Sequence, residues 1–253
     1  VINTPHKVIV VGNSSNILQV NNGNIIDSFD YVVRMGMCRI DGYELHVGSK
    51  TDLLCGTIND FFVPHYNKNQ IFFQPKIFVK NCNHILFIEH EYDNYEEYTS
   101  IGNLWGAGYI PNMSAAAGDY FLKFFNSQQF RQHFSSNQYS ERIFFDHAKH
   151  ALFTKFGIQK ISHYNKASRI KTFIQFNSQL AHKRIYMPSK GMYTLNYVLN
   201  TFTDAEIYVT GFDGIKTKNY WRKEDTPLCV THSSAHEMIM YKKLLRAGKI
   251  REL

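Results

Sequence analysis

Four consecutive β-branched residues, Val8 to Val11, form the clearest hydrophobic signal in the chain. A short unbroken apolar run of this kind predicts a strand buried on both faces of a sheet. It stops at Gly12-Asn13-Ser14-Ser15, small polar residues suited to turning the backbone. Ile25-Ile26-Asp27 with Tyr31-Val32-Val33-Arg34 gives a second strand signal, ending on a cation, and Asp52-Leu53-Leu54-Cys55 gives a third. Further strands are predicted at Pro75–Val79, His84–Ile88, Lys183–Met187 and Ile207–Thr210. Helices are predicted from Ser114 to Phe125, from Glu141 to about Phe156, from Met192 to Thr201, and after Thr231 at the end of the chain. Asn103–Tyr109 reads as a glycine-flanked aromatic loop, either a plain connection or a wall for a ligand. Ser127–Ser140 reads as an insertion, and Asn165–Ala181 shows no clear period. Alternating strands and helices predict an α/β fold: a Rossmann-like, mostly parallel sheet flanked by helices. At 253 residues the chain suits one large domain over 1–253.

Two strand-to-helix turns carry the chemistry. In open α/β sheets ligands sit at the carboxyl ends of the strands, where Gly12, Asn13 and Ser14 fall. Pro188-Ser189-Lys190-Gly191 joins the predicted strand at 183–187 to the next helix. Small residues there let backbone N–H groups approach a nucleotide, and a helix N-terminus favours its phosphate. Near the last helix, Thr231-His232-Ser233-Ser234-Ala235-His236-Glu237 offers two imidazoles, His232 and the competitor His236, groups suited to taking a proton from a hydroxyl near neutral pH. Glu237 falls on the first helical turn, where the helix dipole favours a carboxylate.

Charge narrows the partners. A net charge of +7 favours an anionic ligand such as a nucleotide sugar, an acidic glycan or a lipid headgroup. No stacking motif supports nucleic acid. The cluster Lys242, Lys243, Arg246, Lys249 and Arg251 is either a solvated helix face or a peripheral contact with an anionic membrane. No run approaches the ~20 apolar residues of a membrane span. The 4 cysteines show no CxxC pairing, so no metal site is expected among them.

Taken together, Val10–Ser14, the pattern from Gly23 to Arg34 and Val47–Thr51 resemble the large sialylmotif of the family 29 glycosyltransferases, the animal-type sialyltransferases. Pro188–Gly191, its helix and the strand ending in Gly211-Phe212 resemble the small motif, and His232 with Glu237 matches the H-x4-E spacing of the very small motif. The resemblance implies a sialyltransferase-type GT-A variant of the Rossmann-like fold. It implies donor contacts at Gly12, Asn13, Ser14, Arg34, Pro188, Ser189, Lys190, Gly191, Asn219 and Tyr220, with His232 and Glu237 catalytic. The chain departs from the family at Gly36, where Asn is common, at Lys190, where Thr is usual, and at Asn219, where His is usual. Animal members join the large and small motifs by a disulfide, and the matching places here hold Val8 and a residue near Asp204. Reducing microbial cytoplasm, with peripheral placement at the inner face of a bacterial membrane, is the expectation.

The activity implied is transfer of sialic acid from CMP-sialic acid to a glycan hydroxyl, inverting, with His232 as general base. The sequence offers no DxD for a metal beside a diphosphate, so no cofactor or metal is expected. The three donor-side departures keep CMP-Kdo open as an alternative CMP-linked ulosonic acid, with a bacterial surface polysaccharide or lipooligosaccharide as acceptor. A non-catalytic nucleotide- or glycan-binding module is the alternative of another class, disfavoured because a binder needs no base.

Overall fold

The computed structural model describes residues 5–56, 60, 62–67, 70–75, 82–88, 158–164, 168, 171–172, 188–221 and 233–253. The predicted strands at Lys183–Met187 and Lys76–Val79, the segments from 92 to 156, and His232 lie outside these residues.

Seven parallel strands form the main sheet: β1 (Lys7–Val11), β2 (Tyr31–Met35), β3 (Leu53–Gly56), β6 (His84–Phe87), β7 (Lys160–His163), β8 (Glu206–Thr210) and β9 (Arg251–Glu252), in the order β7-β6-β3-β2-β1-β8-β9. The chain moves outward from β1 through β2 and β3, then returns to lay β8 on the other side of β1. The strand order therefore reverses between β1 and β8, and a crevice opens there at the carboxyl ends. A separate antiparallel hairpin pairs β4 (Phe62–Asn67) with β5 (Gln70–Pro75).

β1 is central because it is apolar on both faces. Val8 and Val10 pack into one core with Leu195 and Val198 of α3 (Lys190–Thr201) and Tyr241 of α4 (Ser234–Arg246). Ile9 and Val11 pack into the other core with Ile17, Ile26, Val32 and Val47. Alternate side chains thus enter opposite layers, as the pleat requires. Burying each of these side chains contributes roughly 1.5–3 kcal/mol, offset by chain entropy.

The expected fold class is the one observed, with local corrections. Ile25–Asp27 belongs to a short helix, α1 (Gly23–Asp27), not to the strand that follows. Two adjacent isoleucines cannot distinguish the two periods, and here Ile26 is buried while Ile25 faces solvent. Asp27 then accepts from the Ser49 and Lys50 amides at 2.8–2.9 Å and from Ser49 Oγ at 2.8 Å, fastening the approach to β3. Those donors outweigh the cost of burial and hold its carboxyl below the usual range. Cys38, Cys55 and Cys82 are buried free thiols, and burial pushes Cys38 up to about 11 and Cys82 to about 12.

Candidate active site

The crevice begins with a backbone approach that two glycines permit. Gly12 donates to the Thr210 carbonyl at 2.7 Å. A Cβ on Gly12 would sit 2.1 Å from the Gly211 carbonyl oxygen, and Gly211 itself has φ +69°. Only glycine fits either position without moving the backbone. The loops leaving β1 and β8 therefore touch at the switch point. Ser14 donates its amide to Gly211 at 3.1 Å, and its hydroxyl pairs with Thr217 Oγ1 at 2.8 Å. Ser14 and Asn219 form an isolated antiparallel bridge, supported by Tyr220 N–H to the Asn13 carbonyl at 3.0 Å and Ser15 N–H to the Lys218 carbonyl at 3.1 Å. Asn13 donates from Nδ2 to the Gly36 carbonyl at 3.2 Å. The post-β1 turn and the 217–220 segment thus form one hydrogen-bonded wall.

The opposite wall is the N-terminus of α3. Ser189 is its cap, accepting the Met192 amide at 3.3 Å. Glu237, on the first turn of α4, grips this cap twice: Ser189 N–H donates to Oε1 at 2.8 Å and Ser189 Oγ to Oε2 at 2.8 Å. Burial pushes the Glu237 carboxyl up to about 7, against these two donors, which favour its ionised form. Lys190 reaches sideways, its Nζ 2.8 Å from both carboxylate oxygens of the buried Asp60. Ser233 caps α4 in turn, so the two helices meet cap against first turn.

Between the walls lies a cavity of about 310 Å³, within the size range of small-ligand sites. Asn13, Ser14, Ser189, Lys190, Gly191 and Asn219, all expected as donor contacts, line it together with Glu237. Four expected contacts, Gly12, Arg34, Pro188 and Tyr220, stand outside the lining. Arg34 is fully buried, donating from Nε to the Lys50 carbonyl and Thr51 Oγ1 at 3.0 Å and from Nη2 to the Val47 carbonyl at 2.7 Å. Desolvation holds its pKa below the ordinary value, and its role in these bonds is to hold the loop before β3. Pro188 is buried ahead of the cap. Tyr220 is buried, its hydroxyl donating to the Arg39 carbonyl at 2.5 Å and accepting the Arg39 amide at 3.0 Å, with its ring edge-on to Tyr43 at 5.0 Å. It braces the first wall from behind.

The turn after β8 was not foreseen as lining. Phe212, Asp213, Gly214, Ile215 and Thr217 face the cavity. Asp213 accepts the Lys216 and Thr217 amides at 3.1 and 2.8 Å. Gly214 has φ +70° and Ile215 φ +64°, the latter an unusual conformation for a β-branched residue. Phe212 stacks on Tyr241 with centroids 5.9 Å apart and planes at 10°, giving an aromatic floor. The glycine–aspartate–glycine run at 211–214 is the sequence signal that marks such a turn.

Comparison with known proteins bears on the same region. Residues 4–95 match the model of glycosyltransferase family 29 (sialyltransferase). A 45-residue stretch is 51% identical to CMP-N-acetylneuraminate-beta-galactosamide-alpha-2,3-sialyltransferase 1 of Gallus gallus, spanning 18% of this chain and 13% of that protein. A crystal structure of a mammalian sialyltransferase superposes on 98% of this chain and 69% of its own with a TM-score of 0.52 at 18% identity, a likeness of fold. Residues 4–95, which contain the β1 turn, are thus similar to glycosyltransferase family 29 (sialyltransferase), and the likeness over the rest of the chain is one of fold.

Proposed function

We propose that this chain transfers sialic acid from CMP-sialic acid to a glycan hydroxyl, and that the cavity between β1 and β8 holds the donor. One observation carries the reading. Segments far apart in sequence, 13–14, 189–191, 219 and 237, line a single cavity at the switch point. Its walls suit a nucleoside monophosphate leaving group. The N-terminal amides of α3 offer donors and a favourable dipole. Ser14, Asn219 and Lys190 add side-chain donors of neutral and cationic character.

Expulsion of CMP from a tertiary anomeric carbon leaves an oxocarbenium-like centre and adds one negative charge to the phosphate. Preorganised N–H groups stabilise that charge as it develops. The acceptor oxygen then needs a base, and His232 takes its proton while the hydroxyl attacks the face opposite CMP, giving inversion. In this reading Glu237 positions the Ser189 cap and does not itself exchange a proton with the acceptor. No metal is required for this departure.

Kdo in place of sialic acid is the second reading, kept open by the three departures Gly36, Lys190 and Asn219, all in the cavity wall. Assays of CMP-sialic acid and CMP-Kdo side by side, with wild type and His232→Ala, test both. Turnover of CMP-sialic acid, reduced ~10³-fold in His232→Ala while CMP binding is kept, is the expected result. Turnover of CMP-Kdo alone would move the assignment to the second donor. CMP binding without turnover of either would leave a non-catalytic binding module.

A further inference from the structure

Two of the positions where this chain departs from the family 29 motifs it resembles, Gly36 and Lys190, lie in the cavity wall, and another residue, Asp60, connects them. Gly36 directly follows β2, Lys190 opens α3, and Asp60 lies four positions beyond the end of β3. All three are therefore at the carboxyl edge of the sheet. A Cβ on Gly36 would sit 2.5 Å from Asp60 Cβ and 2.8 Å from its Cγ, so Asp60 occupies the space that a side chain at 36 would fill. Asp60 keeps 2% of its side-chain surface exposed, whereas Lys190 keeps 42%. The ammonium thus spans from a desolvated carboxylate to the open cavity.

From this arrangement we propose that Asp60 is a positioning residue that sets how the cavity receives the anionic part of its ligand. The glycine at 36, the aspartate at 60 and the lysine at 190 act as one unit. A lysine alone at the mouth of α3 would add a full positive charge to a helix N-terminus that already favours anions. Asp60 sets the direction of the ammonium, with both carboxylate oxygens 2.8 Å from Nζ, and offsets part of that charge. Lys190 is thereby oriented and its attraction for an anion reduced, so a nucleoside monophosphate is recognised but not trapped. A nearby cation lowers the cost of keeping a buried carboxylate charged, which couples the two residues.

This inference rests on the nucleoside monophosphate reading of the site. The test is titration calorimetry of the full chain with CMP, at low and at physiological salt, for wild type, Asp60→Asn, Lys190→Met and the double variant. Thermal denaturation establishes that each is folded, and Asp60→Ser replaces Asp60→Asn if the latter is not. Asp60→Asn should bind CMP about fourfold tighter at low salt, as expected for removing a like charge near the phosphate, and the gain should shrink as salt rises. Lys190→Met should bind about tenfold weaker, and the double variant should recover part of that loss because the carboxylate's repulsion of the phosphate is removed as well. Unchanged or weaker CMP binding by Asp60→Asn, with only its melting temperature lowered, would overturn the proposal and leave the donor site standing. Failure of the wild type to bind CMP would overturn both.

Discussion

The two walls of the cavity are built by different physics. The wall after β1 and β8 is held by backbone contacts and neutral hydrogen bonds: Gly12 against Gly211, Ser14 with Thr217, and the Ser14–Asn219 bridge. The wall at α3 is held by ionisable side chains, Glu237 on Ser189 and Asp60 on Lys190. The contacts named for the first are uncharged, and the carboxylate in its turn, Asp213, accepts only the Lys216 and Thr217 amides among the described bonds. The second can be tuned by either pH or salt. A site built this way keeps one side of its ligand pocket fixed and places its environmental sensitivity on the other.

The largest disruption should come from the rigid wall. Gly12→Ala drives a methyl into the Gly211 carbonyl, and no flexible side chain is available to yield. Destabilisation on the order of 4 kcal/mol and loss of CMP binding are expected, measured by denaturant unfolding and calorimetry.

On the other wall, pH is the lever. The folded protein holds the Glu237 proton more tightly than the unfolded chain, whose glutamate titrates near 4.5. The stability contributed by this group is fully present below pH 4.5 and is lost as pH rises through about 7. The change is on the order of 3 kcal/mol, and Glu237→Gln should flatten that part of the stability–pH curve. An unchanged curve in Glu237→Gln would remove the contrast between the walls.

Smaller effects sharpen it. Tyr220→Phe leaves the Arg39 amide without its acceptor and should cost about 1.5 kcal/mol by thermal or denaturant unfolding. Thr217→Val removes the partner of Ser14 Oγ and should cost about 1 kcal/mol, by the same amount at pH 5 and pH 8. A pH-dependent cost there would show that the first wall is not electrostatically silent.

Much of this arrangement was legible in the chain, and the misses have physical reasons. β1, β8 and α3 were readable because each buries an apolar run long enough to show its period. The β4–β5 hairpin escaped notice because Pro64 interrupts its first strand, a residue that only an edge strand tolerates. β7, Lys-Ile-Ser-His, and the two-residue β9 are too short and polar to stand out. At the site, the two glycine-bearing turns were visible in sequence. The Asp60 partnership was not, since Asp60 lies 130 positions from Lys190 and no local pattern links them. Arg34 was expected among the donor contacts through its match to the family 29 motif. Its actual partners are the carbonyls of Val47 and Lys50 and the Thr51 hydroxyl, which a sequence does not display.

A crystal structure of the chain with CMP tests the central claim most directly. The account predicts the phosphate between Ser14 and Asn219 on one side and Ser189, Lys190 and Gly191 on the other, beside the start of α3. CMP bound elsewhere on the sheet, with this crevice empty, would contradict it.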